Sequence, residues 1–156
     1  MVFVLDGSGS VTEENFIKQK QFVKDVVLPL NLHQTGSRAS VVQFSDWPEL
    51  SIDWTSDLDE FYTGVDAIEY MGYRTFTADA MKFTYENLIR NNARDVKKFV
   101  VLITDGASTN GVSEKDALHQ FGISNFALGI GPSTNRTELD ILGSKRNFFF
   151  ESKEFF

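Results

Sequence analysis

A chain of 156 residues, 42% of them hydrophobic, is long enough for one domain with a substantial buried core, and residues 1–156 read as a single domain cut from a longer protein. A formal net charge of -7 argues against general nucleic-acid binding, which needs a basic face, and the absence of cysteine excludes disulfides, thiolate metal sites and cysteine nucleophiles. No apolar run approaches the roughly 18 residues of a membrane span, so direct membrane insertion is not expected.

In chain order, Met1 to Leu5 is a continuous apolar run, the pattern of a parallel strand covered on both faces, and with Met1 already in the strand no signal peptide is expected within these residues. Asp6-Gly7-Ser8-Gly9-Ser10 turns it into an amphipathic helix, with Thr12 or Ser10 as cap and Glu13 and Glu14 suited to its dipole. Phe16, Lys20, Val23, Val27 and Leu30 share one stripe of that helix, interrupted only by Lys20, and Pro29 bends or ends it. Ala39 to Phe44 is a second strand and Glu49 to Trp54 a third; the short link Ser45-Asp46-Trp47-Pro48 forces them to pair antiparallel. Asp57 to Tyr70 carries one or two short helices.

The loop Met71 to Phe76 feeds a helix capped by Thr75 or Thr77, with Ala80, Met81, Tyr85, Leu88 and Ile89 on its apolar side. Phe99 to Ile103 is the strongest strand signal and ends in Thr104-Asp105-Gly106. Ser113 caps a short helix reaching Phe121, and Ile123 to Ile130 is a further strand. Ser133 or Thr134 opens a last helix, and Phe148 to Phe150 is a final strand near the sheet edge.

Strands alternating with helices define an α/β fold: a doubly wound, Rossmann-like, mostly parallel sheet of about six strands, one of them antiparallel, with helices on both faces. In such folds ligands bind beyond the carboxyl ends of the strands, where strand order reverses. Asp6 and Asp105 each follow a strand of this kind. Taken alone, Asp6 to Ser10 is open to two readings, a hard-metal loop or a well-capped turn. The inferred topology gathers Asp6, Ser8, Ser10, Thr75 and Asp105 at one rim, an all-oxygen set of two carboxylates and three hydroxyls. Such donors suit Mg²⁺ or Mn²⁺, with Ca²⁺ less favoured, and do not suit zinc or copper. Two carboxylates balance a divalent ion, and the hydroxyls fill positions without quenching it. A carboxylate from another protein is then a natural further ligand.

Three ordered blocks carry a family likeness: Asp6-Gly7-Ser8-Gly9-Ser10, Arg74-Thr75-Phe76-Thr77 and Leu102-Ile103-Thr104-Asp105-Gly106. With the flanking runs Val41 to Ser45 and Ala127 to Gly131, the chain resembles the von Willebrand factor type A domain, also called the integrin I-type domain. The resemblance implies that Asp6, Ser8, Ser10, Thr75 and Asp105 form a metal-ion-dependent adhesion site. The hydroxyls would bind the ion directly, the aspartates often through water, with Thr75 joining in the ligand-competent state. It also implies a non-enzymatic adhesion or extracellular-matrix module, in an extracellular or cell-surface setting, that binds a protein partner's Asp or Glu through the metal. There are departures. Ala78 stands where many relatives have Gly, and Gly131-Pro132-Ser133-Thr134 runs straight into the last helix where collagen-binding integrin domains carry an extra one. The family's final helix would begin about where this chain stops.

The remaining signals are smaller. Tyr73 and Phe76 bracket Thr75 and either form an apolar rim for a partner or pack locally; Asn135-Arg136-Thr137 is a candidate glycosylation sequon. Lys97-Lys98 with Arg90 and Arg94 is the one basic cluster, and it reads as a solvated helix end. Other functions compete with metal-dependent adhesion. They are a structural or mechanical matrix module with a vestigial site, an intracellular complex-assembly relative, and, remotely, a Mg²⁺-dependent phosphotransfer domain. The last wants a second Asp two positions after Asp6, where Ser8 stands. A serine hydrolase would need Gly-x-Ser-x-Gly around Ser8 or Ser10, which is absent.

Overall fold

The computed structural model describes residues 1–92, 94–132, 134–143 and 149–152. Its six strands are β1 (Val2–Asp6), β2 (Ala39–Phe44), β3 (Pro48–Thr55), β4 (Phe99–Thr104), β5 (Ser124–Ile130) and β6 (Phe149–Ser152). They form one sheet in the order β3-β2-β1-β4-β5-β6. All neighbours pair parallel except β2 and β3, whose tight link enforces the expected antiparallel hairpin. Because β1 lies between β2 and β4, the chain leaves it in one direction and returns on its other side. This is the reversal point where a crevice opens at the carboxyl edge.

Side-chain alternation along β1 divides the core. Phe3 and Leu5 pack with Phe16, Val23, Phe61 and Val65, whereas Val2 and Val4 pack with Met81, Leu88, Leu102 and Leu139. Phe16 and Val23 lie on helix α1 (Glu13–Val27) and Phe61 and Val65 on α2 (Leu58–Ala67); Met81 lies on α3 (Thr77–Thr84), Leu88 just beyond it, Leu139 on α4 (Arg136–Leu142) and Leu102 on β4 itself. A strand buried on both faces has no solvent side, which is why β1 and β4 read as nearly unbroken apolar runs; β2 is equally buried but carries Ser40 and Gln43, whose side chains donate to the Ile52 and Glu69 carbonyls. Lys20, the break in the α1 stripe, runs its amine out to the carbonyls of Asp66 and Ile68, so its stem lies on the core and its charge does not.

Of the one or two short helices expected over Asp57 to Tyr70 there is one, α2, capped by Asp57, whose Oδ1 accepts from the Asp59 and Glu60 amides. Other local expectations are corrected. Neither Thr75 nor Thr77 caps α3; Phe76 stands at that position with no side-chain hydrogen bond. Beyond α3 the chain continues as a π-helical turn over Tyr85–Ile89, closed by Arg90 N–H to the Tyr85 carbonyl (2.8 Å). Ser113 heads a capping box with Asp116, but Ala117 is extended and splits the segment into two 3₁₀ turns, Glu114–Asp116 and Leu118–Phe121. Helix α4 is capped by Asn135 rather than Thr134; the alternative cap Ser133 and the strand residue Phe148 lie outside the described residues. Strand β6 takes the sheet edge, as expected.

Candidate metal centre

Asp6 is the last residue of β1 and Asp105 the first after β4, and adjacent parallel strands put both at the carboxyl edge. Asp6 is fully buried. Its Oδ1 accepts from the Ser8 amide (2.9 Å) and its Oδ2 from the Thr104 hydroxyl (2.6 Å). Ser8 Oγ and Ser10 Oγ lie 3.1 Å apart, and Ser10 Oγ donates to Asp105 Oδ1 at 2.9 Å. Four of the five oxygen-bearing residues singled out in the sequence thus form one connected network. The Asp6–Ser10 turn is also a hydroxyl pair facing a second carboxylate from another strand.

Thr75 is brought to the same rim by its backbone. Its amide donates to Thr109 Oγ1 (3.2 Å), and its carbonyl accepts from the Thr109 amide (2.6 Å) and the Ser108 hydroxyl (3.3 Å). The loop before it is tied to the first turn, with Gly9 N–H on the Tyr73 carbonyl at 2.7 Å and Gly72 N–H on the Gly7 carbonyl at 2.8 Å. Only 7% of Thr75 is exposed, yet among the described residues its hydroxyl has no hydrogen-bond partner. It is the one member of the five outside the network.

Close packing of these loops depends on two glycines. A Cβ on Gly7 would stand 2.5 Å from Gln43 Nε2, and one on Gly9 would stand 3.1 Å from the Gly72 carbonyl oxygen. Thr12, just past the turn, holds a φ of 67°, a sparsely populated conformation for a β-branched residue. Strain of this kind persists only where neighbouring contacts over-determine the backbone. Here Val11 N–H binds the Ser8 carbonyl (3.1 Å) and the Tyr70 hydroxyl donates to the same oxygen (2.9 Å).

The electrostatics of the rim are one-sided. Burial pushes the Asp6 carboxyl up to about 6, against the pull of its hydrogen bonds from Ser8 and Thr104, with Asp105 adding repulsion. Burial likewise raises Asp105 above the ordinary carboxylate range, offset in part by Ser10. Among the described residues no Lys, Arg or His forms an ion pair with either carboxylate. Nor do the described residues contain a cluster of three or more His, Cys, Asp or Glu side chains, so any ion here would rely on hydroxyls for much of its shell. Two buried carboxylates without a counter-charge, and hydroxyl oxygens between them, are a donor set that fits a small hard dication.

Sequence reasoning assigned no role to Thr104, Ser45, Ser108 or Tyr70. Thr104 sat within a quoted block, and its position one residue before Asp105 at a strand end could have flagged it. Ser45 could not be read from spacing. Its hydroxyl donates to the Arg74 carbonyl (2.6 Å) and accepts from the Tyr73 amide (3.1 Å), which clamps the Thr75 loop from β2. Of the expected rim residues, Tyr73 is 57% exposed and Phe76 half-buried beneath the Arg74 guanidinium (5.1 Å). Trp47 is 52% exposed and leans on Tyr73 with ring centroids 5.7 Å apart. Asn135 is occupied as a helix cap through Oδ1.

An open α/β sheet with an acidic, hydroxyl-lined rim at its reversal point is an architecture that binds ligands beyond the carboxyl ends of its strands. The whole chain, residues 1–156, matches the model of the von Willebrand factor type A domain, and the protein belongs to that family. It is 32% identical over 148 residues to the collagen alpha-1(XXI) chain of Xenopus laevis, covering 93% of this chain and 16% of that one. It is also 32% identical to the collagen alpha-4(VI) chain of Mus musculus (94% of this chain, 6% of that one) and to cochlin of Cavia porcellus (83% and 24%). The chain therefore spans a small part of the relatives it matches. Among solved structures, proximal thread matrix protein 1 from the mussel byssus superposes with a TM-score of 0.91 at 24% identity, over 99% of this chain and 41% of that one. That likeness speaks to the fold alone; the mussel structure has a zinc-occupied adhesion motif. The relatives matched by sequence include collagen chains and cochlin.

Proposed function

We propose that this domain is a metal-dependent protein-binding module of the extracellular matrix. Asp6, Ser8, Ser10, Thr75 and Asp105 hold a divalent cation, Mg²⁺ or Mn²⁺, which accepts an Asp or Glu carboxylate from a protein partner. The observation that carries the reading is the pair of buried carboxylates with no cationic partner among the described residues, facing hydroxyls that can coordinate. When bound, the cation supplies positive charge to attract an incoming carboxylate. The chain's own residues do the positioning: Thr104 and the Ser8 amide fix Asp6, Ser10 bridges towards Asp105, and the Ser45 clamp holds Thr75 at the rim. The exposed Trp47–Tyr73 pair, on loops that flank Thr75, offers apolar surface beside the carboxylate position.

Manganese titration followed by its paramagnetic signal tests the site directly. Saturable Mn²⁺ binding, competed by Mg²⁺ and abolished in Asp105→Ala, is the expected result. Binding to immobilised matrix proteins should then vanish in EDTA and return with Mg²⁺. Matrix binding undiminished by EDTA would overturn the proposal.

A further inference from the structure

The basic cluster seen in the sequence is not used by the carboxyl-edge site, and the fold gives it a setting of its own. Arg38 immediately precedes β2 and Lys98 immediately precedes β4, so both lie at the amino edge of the parallel strands. Five residues of β1, at about 3.3 Å each, put this edge roughly 15 Å from Asp6. Arg38, Arg94, Lys97 and Lys98 line one cavity of about 380 Å³, with no acidic residue among its lining. A second cavity of about 230 Å³ shares Lys97 and Lys98 with it and adds Arg90. Five of the chain's 15 cationic residues thus border two adjoining hollows of a protein whose net charge is -7.

Three of these cations are held in place by backbone and not by counter-ions. Arg94 donates to the Gly36 carbonyl (3.1 Å), Lys98 to the Arg94 carbonyl (3.1 Å) and Arg38 to the Gln34 carbonyl (3.3 Å). Arg38 Nε is sealed from solvent with no partner, and among the described residues none of the five makes an ion pair. Neutral carbonyls orient the charges without cancelling them, so the positive potential is left for a ligand. Of the first cavity's large apolar side chains only Val96 is well exposed, too little to anchor a peptide, whose binding energy concentrates in buried apolar contacts. A chain carrying repeated sulfate groups needs no such anchor. It needs several fixed cations along a polar trough, and a matrix module meets such chains outside the cell.

We propose that this amino-edge trough binds a sulfated polysaccharide, independently of the metal site at the opposite edge. The probe is a heparin-derived hexasaccharide, titrated into the 156-residue chain by calorimetry in EDTA at about 0.15 M salt, where exposed charges are already screened beyond about 8 Å. The expected result is saturable binding that persists in EDTA, weakens about tenfold in Lys97→Gln/Lys98→Gln, and disappears with the desulfated hexasaccharide. Lys97→Glu, a single change at an exposed position, should weaken it at least as much, and Lys18→Gln on α1 should leave it unchanged. The proposal is overturned by absence of binding, by equal loss in Lys18→Gln, or by equal affinity for a polyglutamate peptide, which would mark an acidic-protein site. EDTA-sensitive binding would assign the probe to the carboxyl-edge rim instead, and matrix binding can fail in EDTA while this result stands.

Discussion

Asp6→Asn separates the cost of the site from its use. The Asp6 carboxyl titrates at about 6 in the fold against 3.8 for an unperturbed one. At about 1.4 kcal/mol for each tenfold change, keeping it ionised costs roughly 3 kcal/mol of stability above pH 6. The sign follows from the direction of the rise. A carboxyl whose folded value exceeds its unfolded value stabilises below about 3.8, and that contribution is lost as pH climbs through about 6. An Asn amide can accept from the Ser8 amide and donate to Thr104 Oγ1, whose hydroxyl also lies 3.3 Å from the Gly106 carbonyl, so both contacts survive with a loss of about 1 kcal/mol. In EDTA at pH 7, Asp6→Asn should therefore be more stable than wild type by about 2 kcal/mol. That corresponds to a rise of about 4–8 °C in Tm. The advantage should shrink by roughly 2 kcal/mol as pH falls to 4, where wild-type Asp6 is neutral in the fold, and the rest goes below about 3.8.

Saturating metal reverses the order. Ion at about a hundred times its Kd stabilises wild type by about 2.7 kcal/mol, and the variant, lacking one of two charges, gains far less. Thermal melts at pH 4 and 7, with and without Mn²⁺, measure all four corners. A variant less stable than wild type in EDTA at pH 7, or a metal-induced shift equal to wild type's, would refute the reasoning.

Because protons and metal compete for Asp6, Mn²⁺ affinity should be flat above pH 7 and fall by up to about tenfold per unit below pH 6, as measured by titration across that range. Thr104→Val keeps the shape but removes the hydroxyl at Asp6 Oδ2; Asp6 should titrate higher still, and metal affinity at pH 6.5 should drop several-fold, with about 1–3 kcal/mol lost in urea unfolding. Gly7→Ala sets a methyl against Gln43 Nε2, which already donates to the Glu69 carbonyl at 2.8 Å, and should cost about 1–3 kcal/mol in the same assay. Trp47→Ala/Tyr73→Ala should weaken binding to a matrix partner at least tenfold and leave Mn²⁺ affinity untouched; parallel titrations of metal and partner separate the two effects.

The two-sided burial of β1 was legible in the sequence because a strand covered on both faces shows as an unbroken apolar run, and the alternation of strands with helices indicated the layers; β2, interrupted by Ser40 and Gln43, was legible as a strand but not as a doubly covered one. The hairpin was legible too, since so short a link permits only one pairing. Helix starts were less so. Thr75, Thr77 and Thr134 are all good capping residues by type, but which hydroxyl caps depends on where the chain arrives, and Phe76 and Asn135 took those positions. For the rim, the residue types and spacing of Asp6, Ser8, Ser10, Thr75 and Asp105 named the candidates, because oxygen donors around glycines are a local property of the chain. What only the tertiary structure decided is how they are supported and charged. Thr104 reaches Asp6 from the neighbouring strand, Ser45 clamps a loop some thirty residues on, and burial lifts the two carboxyls. The same holds at the opposite edge. Arg90, Arg94, Lys97 and Lys98 form a visible cluster in one dimension, but Arg38 joins them only because parallel strands start side by side. Local chemistry is written residue by residue, whereas desolvation and the meeting of distant side chains are set by packing.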